Sequence, residues 1–152
     1  MALTHKKMNL FDAPELSILA HACNCRGSWG AGIALEFQKR FPKAYKTYQS
    51  TCKEINGEMA GGAILTDLEN QHFVACLFTS NGYGKSTDPK EKILENTARA
   101  VRLLLELSFE KGFPIYSNKF NSGLFRVPWE ETEAILKPLV EKYNAEWVVC
   151  EA

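Results

Sequence analysis

The sequence predicts an α/β domain with helices on both faces of a mostly parallel sheet. Two observations predict it. Short apolar runs without helical period alternate with segments whose apolar residues recur every three or four positions, the order that builds a helix-covered sheet. Glycine, proline and polar clusters stand at the junctions. The 152 residues are 45% hydrophobic and 24% charged, the balance of a folded domain rather than a disordered chain. No repeat, low-complexity tract or linker divides them, so residues 1–152 are read as one domain.

Each element has its own signal. Leu16–Cys23 is a short apolar run and predicts a buried strand. Gly27–Gly32 punctuates the chain, and Ile33, Phe37 and Phe41 follow at helical spacing. Pro42 ends that helix and fits the first position of the next, whose stripe is Tyr45, Tyr48, Cys52 and Ile55, closed by Gly57 and Gly61–Gly62. Ala63–Thr66 and His72–Phe78 predict a strand pair joined by a turn over Asp67–Gln71. Asp88–Glu91 predicts a helix start, with Asp88 as cap, Pro89 at the first position and Glu91 completing a capping box. Ile93, Thr97, Ala100, Val101, Leu104 and Leu105 form its buried face, and Gly112 and Pro114 end it. Pro114–Ser117 predicts a strand, Pro128–Tyr143 a helix bent near Pro138, and Glu146–Cys150 the last strand.

Composition excludes several functions. Eighteen basic residues balance eighteen acidic ones, which disfavours a general nucleic-acid binder. No apolar run is long enough to span a bilayer as a helix. The first residues are too short and polar a stretch for a signal peptide. Five cysteines, mostly inside apolar runs, do not form a secreted disulfide pattern. A reduced, intracellular setting is expected, cytoplasmic or nuclear.

In parallel sheets, ligands bind beyond the carboxyl ends of strands, which singles out two loops. The first, Asn24–Gly32, places Gly30-Ala31-Gly32 directly between a strand and a helix. Free amides there suit an anion, although a simple tight turn uses the same residues, and the dinucleotide fingerprint is not met. Asn24 can exchange hydrogen bonds with a sugar hydroxyl or act as an Asx-turn residue. His21, Cys23 and Cys25 share a strand face, but no second ligand pair accompanies them, so no metal is expected. His21 reads first as a core histidine, with catalysis left open by its place beside the loop. The second loop, Asn121–Arg126, offers the amides of Ser122 and Gly123, the guanidinium of Arg126 and the ring of Phe125. Gly82–Thr87 lacks the first glycine of a nucleotide-binding lysine loop, since Thr79 holds that place. It is read as a rim loop, and an ATPase is rejected.

His21-Ala-Cys-Asn-Cys-Arg-Gly-Ser-Trp-Gly-Ala-Gly-Ile-Ala34 followed by Phe41-Pro-Lys-Ala-Tyr45 resembles the macrodomain family, nearest its branch of fungal ADP-ribose-1″-phosphate phosphatases. Asn121–Trp129 resembles that branch's second substrate loop, and Met8–Phe11 its adenosine-contacting segment. The resemblance implies a three-layer αβα fold with a mixed central sheet and an ADP-ribose cleft. By matched position, Asn9 and Leu10 border the adenine, and Ala22, Cys23 and Asn24 line the distal ribose. Trp29, Gly30, Ala31, Gly32, Ile33 and Ala34 wrap the distal ribose and diphosphate. Asn121, Ser122, Gly123, Leu124, Phe125, Arg126 and Val127 supply amides to the phosphates.

The implied activity is hydrolysis of ADP-ribose 1″-phosphate to ADP-ribose and phosphate, without cofactor or metal. Asn24 orients the ribose or an attacking water, and His21 is the acid/base candidate if its ring reaches the cleft. Two alternatives stand beside it: a hydrolase removing ADP-ribose from modified macromolecules, and a non-catalytic ADP-ribose-binding module. The chain departs from a related glycohydrolase branch, placing Ser80 or Asn81 where that branch has lysine and Phe125 where it has aspartate. It also carries Asn9 where many macrodomains carry an adenine-contacting aspartate.

Overall fold

Strand β2 (Ile18–Asn24) sits inside the sheet because every second residue can be buried on either face. Leu19, His21 and Cys23 point to one layer and Ile18, Ala20 and Ala22 to the other. The computed structural model describes residues 2–55 and 59–151. Around β2 stand β1 (Leu3–Lys7), β3 (Ala63–Leu65), β4 (Phe73–Ser80), β5 (Ile115–Ser117) and β6 (Trp147–Glu151). Their order is β1-β6-β5-β2-β4-β3, and all pairs are parallel except β3 with β4.

Four helices cover the sheet: α1 (Gly32–Arg40), α2 (Pro42–Glu54), α3 (Lys90–Ser108) and α4 (Trp129–Lys142). One layer holds Phe37 and Phe41 with Ala44, Tyr48 and Cys52 of α2, against Leu19, Cys23, Val74, Cys76 and Phe78. The other holds α3 and α4, through Val101, Leu104, Leu105, Leu136 and Val140, against Ala20, Ala75, Leu77, Ile115 and Trp147. The expected mixed-sheet, three-layer αβα architecture is therefore present.

The chain moves from β2 to β4 in one direction and returns to β5 on the other side of β2. The β2–β5 boundary is thus a point where strand order reverses. Parallel pairing of Ile18 with Ile115 and Ala20 with Ser117 sends both subsequent loops off the same sheet edge.

Three expectations change. Strand β1 is unannounced, because its Thr4–Lys7 side chains are exposed and show no apolar alternation. It pairs with β6 at the sheet edge, where charged side chains discourage edge-to-edge association. Asp88 does not cap α3, which starts at Lys90 with Pro89 in the cap position. Its carboxylate instead accepts the Asn81 backbone N–H at 3.0 Å, because the rim loop folds back on itself. Tyr45 is only half-buried, while Ala44 takes the inner position on α2. Helix α4 runs unbroken through the exposed Pro138. Gly57 lies outside the described residues.

Candidate functional site

The first loop leaves β2 at a register irregularity between Cys23 and Asn24, the kind of bulge that re-aims a chain at a strand end. Asn24 shapes the turn at its start. Its Oδ1 accepts the backbone N–H of Arg26 at 2.8 Å and of Ser28 at 3.4 Å, and its Nδ2 donates to Ser28 O at 2.8 Å. The Tyr48 hydroxyl, buried in α2, donates to Asn24 O (2.7 Å) and Oδ1 (2.9 Å). The Asx-turn reading therefore describes what the side chain does here. One amide hydrogen of Asn24 has no partner among the described residues, and its oxygen is fully used.

Trp29 is the plug under this loop. It is 1% exposed, stacks on Tyr48 with centroids 4.8 Å apart and meets His21 edge-on at 4.7 Å. Its side chain faces the core, and the residue as a whole is buried. This corrects the expectation that the residue as a whole wraps a ribose.

His21 is likewise internal, fully buried and stacked on Phe37 at 3.9 Å with planes 8° apart. The condition for its acid/base role, a ring reaching the cleft, is not met. Cys23 Sγ lies 3.6 and 3.8 Å from the two His21 ring nitrogens, so its thiol also points away from any ribose. Cys76 joins them, and the three donor atoms lie within 4.8 Å of one another. The third soft donor comes from β4, which sequence spacing could not reveal. Burial holds the Cys23 thiol well above its ordinary range, and all three residues of the cluster are buried.

Beyond Trp29 the backbone turns into α1. Gly32 adopts φ +62°, which glycine tolerates without strain. The α1 cap residue, Ala31, offers no side-chain hydrogen bond, and no acidic residue occupies the first turn. Helix α2 differs, since Glu69 accepts the backbone N–H groups of Lys43 and Ala44 at 3.0 Å each. Of these two helix starts, α1 keeps its first-turn amides unclaimed by a carboxylate. Ala31 and Gly32 are exposed, and Ile33 and Ala34 are half-buried.

The second loop is narrower in donors than expected. The amides of Ser122, Arg126 and Val127 donate to Lys119 O, Gly123 O and Asn121 O, at 3.4, 3.0 and 2.9 Å. Those of Gly123, Leu124 and Phe125 have no partner among the described residues. Val127 is buried, and the Asn121 carboxamide points inward. Arg126 is exposed at φ +60°, a strained conformation for a non-glycine residue. A methyl group built on Gly32 would lie 3.8 Å from Leu124 Cδ1, so Leu124 of the second loop lies beside the start of α1.

A third loop joins them. Cys25 donates its backbone N–H to Asn81 O at 3.1 Å, laying the start of the rim loop 81–88 along the first loop. A Cβ on Gly82 would fall 2.3 Å from Ser86 O, so only glycine permits this fold. The half-buried Asp88 engages Asn81 through Oδ2. Sequence reasoning reaches Asn81 only as a family departure and Asp88 only as a helix cap. Their meeting depends on the intervening residues turning back, which no local pattern announces. At the remaining segment, Leu10 is buried and exposed Asn9 accepts the Phe11 N–H through Oδ1 at 2.9 Å, leaving the Asn9 amide hydrogens as donors.

The macro domain family model matches residues 20–136. An ADP-ribose 1″-phosphate phosphatase of Meyerozyma guilliermondii is 43% identical, covering 89% of this chain and 92% of its own length. A protein of that name in Debaryomyces hansenii is 39% identical, covering 80% and 82%. Among solved structures, the macrodomain of Mycobacterium tuberculosis DarG superposes with TM-score 0.83 at 20% identity, covering 99% of this chain and 97% of that one. Thermosipho africanus DarTG, solved with ADP-ribose, gives 0.80 at 16% identity, covering 98% of this chain and 41% of that one. The two strand-end loops, the reversal point between them and these likenesses agree: the chain belongs to the macro domain family.

Proposed function

We propose that this macrodomain, read as one domain over residues 1–152, binds ADP-ribose and hydrolyses ADP-ribose 1″-phosphate to ADP-ribose and phosphate. The observation that carries this reading is the pair of loops at the ends of adjacent strands β2 and β5, both with main-chain N–H groups that have no partner among the described residues. Such donors suit a sugar-linked diphosphate. The fungal relatives bear the name of that activity over most of the chain.

Hydrolysis breaks the bond between phosphorus and the ribose oxygen, and water supplies the hydroxyl and the proton that complete the two products. Amides of Gly30, Ala31 and Gly32, with the positive end of α1, stabilise charge on the phosphoryl oxygens. Asn24 contributes one N–H to the ribose; a carboxamide is no base, and its oxygen already accepts from Arg26, Ser28 and Tyr48. With His21 inside the core, the proton carrier in this reading is Asp88, the half-buried carboxylate that holds Asn81 where Asn81 meets the first loop at Cys25. No helix among the described residues is long and apolar enough to cross a membrane. All five cysteines are free and buried, which supports the intracellular reading.

The test is phosphate release from ADP-ribose 1″-phosphate by purified protein, against a heat-killed control. Release is expected, and Asp88→Asn is expected to abolish most of it while ADP-ribose still binds. Binding without release would leave a non-catalytic module. Removal of ADP-ribose from modified macromolecules in parallel assays, without phosphate release, would establish the other hydrolase.

A further inference from the structure

The Asn121 carboxamide lies beneath the second loop and joins three elements. Thr79 of β4 donates its hydroxyl to Asn121 Oδ1 at 2.8 Å. Asn121 Nδ2 donates to Thr97 Oγ1 of α3 at 2.9 Å and to Thr132 Oγ1 of α4 at 3.4 Å. The Thr97 hydroxyl gives its own proton to Ile93 O at 2.7 Å, so its lone pairs are free for Asn121. Asn121 is 4% exposed, and the three threonines are fully buried.

Both sides of this amide are required. Oδ1 must accept and Nδ2 must donate, a combination that aspartate and leucine each lack. The backbone of the same residue sets the loop, since Asn121 adopts φ +69° and its carbonyl accepts the Val127 N–H. Asparagine tolerates this left-handed conformation better than most residues. Thr79 also leads directly into Ser80 and Asn81. Ser80 donates its hydroxyl to Gly82 O at 2.7 Å and accepts the Asp88 N–H at 3.0 Å, so one strand end supports the rim loop and, through Asn121, the second loop.

We propose that Asn121 is a positioning residue rather than a ligand contact. It sets the free amides of Gly123, Leu124 and Phe125 against the first loop and ties the second loop to the rim loop. What the loop receives rests on the ADP-ribose reading above; how the loop is held does not.

The experiment compares Asn121→Ala, Thr79→Val, their double variant and Thr66→Val. Thr66 is a remote buried hydroxyl that donates to Val74 O at 3.2 Å and accepts Val74 N–H at 3.3 Å. Amide hydrogen exchange of residues 121–127 is read without ligand, and ADP-ribose affinity by calorimetry. In Asn121→Ala, the Val127 amide is expected to exchange about tenfold faster or more, and affinity to fall about tenfold. Thr79→Val moves both in the same direction, and the double variant is no worse than Asn121→Ala alone. Thr66→Val moves neither, whatever it does to Tm. The proposal is overturned if Val127 protection survives Asn121→Ala, if the two losses add, or if Thr66→Val weakens binding equally. If Asn121→Ala does not fold, exchange and affinity in Thr79→Val decide. If the parent protein binds no ADP-ribose, the functional reading fails, and exchange alone still judges the positioning role.

Discussion

The two loops beside the β2–β5 boundary reach the same result by opposite constructions. The first is folded by side chains, its own Asn24 and Trp29 together with two from α2. Tyr48 holds Asn24, Gln49 donates to Gly27 O at 3.3 Å, and Trp29 fills the space below. The second is folded by its own main chain around one inward amide, with Ser122, Leu124 and Arg126 left outside. A large buried anchor gives the first loop many redundant contacts. The second depends on a small polar knot and on two left-handed non-glycine residues, Asn121 and Arg126. Rigidity in one comes from packed area, and in the other from hydrogen-bond geometry.

Trp29→Ala attacks that contrast hardest. Removing a fully buried indole is expected to cost about 3–5 kcal/mol, read by urea denaturation, and ADP-ribose affinity should fall with it. A cost below about 1 kcal/mol, with binding intact, would show that the first loop does not need its plug.

Gly32→Glu leaves the plug in place and attacks the donors. A carboxylate beside Leu124 repels a diphosphate, and φ +62° strains any side chain. Affinity is expected to drop about 100-fold, near 2.7 kcal/mol, with secondary structure unchanged. Unaltered affinity in calorimetry would remove the first loop from the site.

Tyr48→Phe is a milder cut, deleting only the hydroxyl that serves Asn24. About 1 kcal/mol of stability should go, with several-fold weaker binding. Asn24→Ala is expected to reduce binding and turnover together, because the side chain builds the loop it stands on. A loss confined to turnover would instead mark Asn24 as a contact to the reacting atoms.

A further effect is alkaline. Burial pushes the Cys25 thiol of the first loop, and Cys150 of β6, from 9.0 up to about 11. Below pH 9 both states keep these protons. Between pH 9 and 11 the unfolded chain releases them and the folded chain does not, so stability falls as pH rises. Denaturation midpoints across this window should decline in parent protein and decline less steeply in Cys150→Ala. A flat profile would mean that the first-loop thiol is not shielded.

Much of the fold is legible in the residues themselves. Leu16–Cys23, His72–Phe78 and the α3 stripe from Ile93 to Leu105 carry apolar periods strong enough to identify their elements. Strand β1 is not legible, since a polar edge strand is held by β6 rather than by its own pattern. Both loops can be found, because glycine and asparagine stand directly after predicted strands, where a parallel sheet binds its ligands. Their working parts cannot. His21 reads first as a core residue and Trp29, by resemblance, as a ligand contact, yet both turn inward, because their side-chain directions depend on Phe37 and Tyr48 from the next two helices.

Amino-acid order alone determined the alternation of strands and helices, the two glycine-bearing bends and the family likeness, because these depend on local period and spacing. Three-dimensional packing decided which donors stay free, that Asp88 turns to Asn81 instead of capping α3, and that Asn121 points inward. Those outcomes are contests among hydrogen-bond partners far apart in the chain, and only the folded arrangement says which partner is within reach.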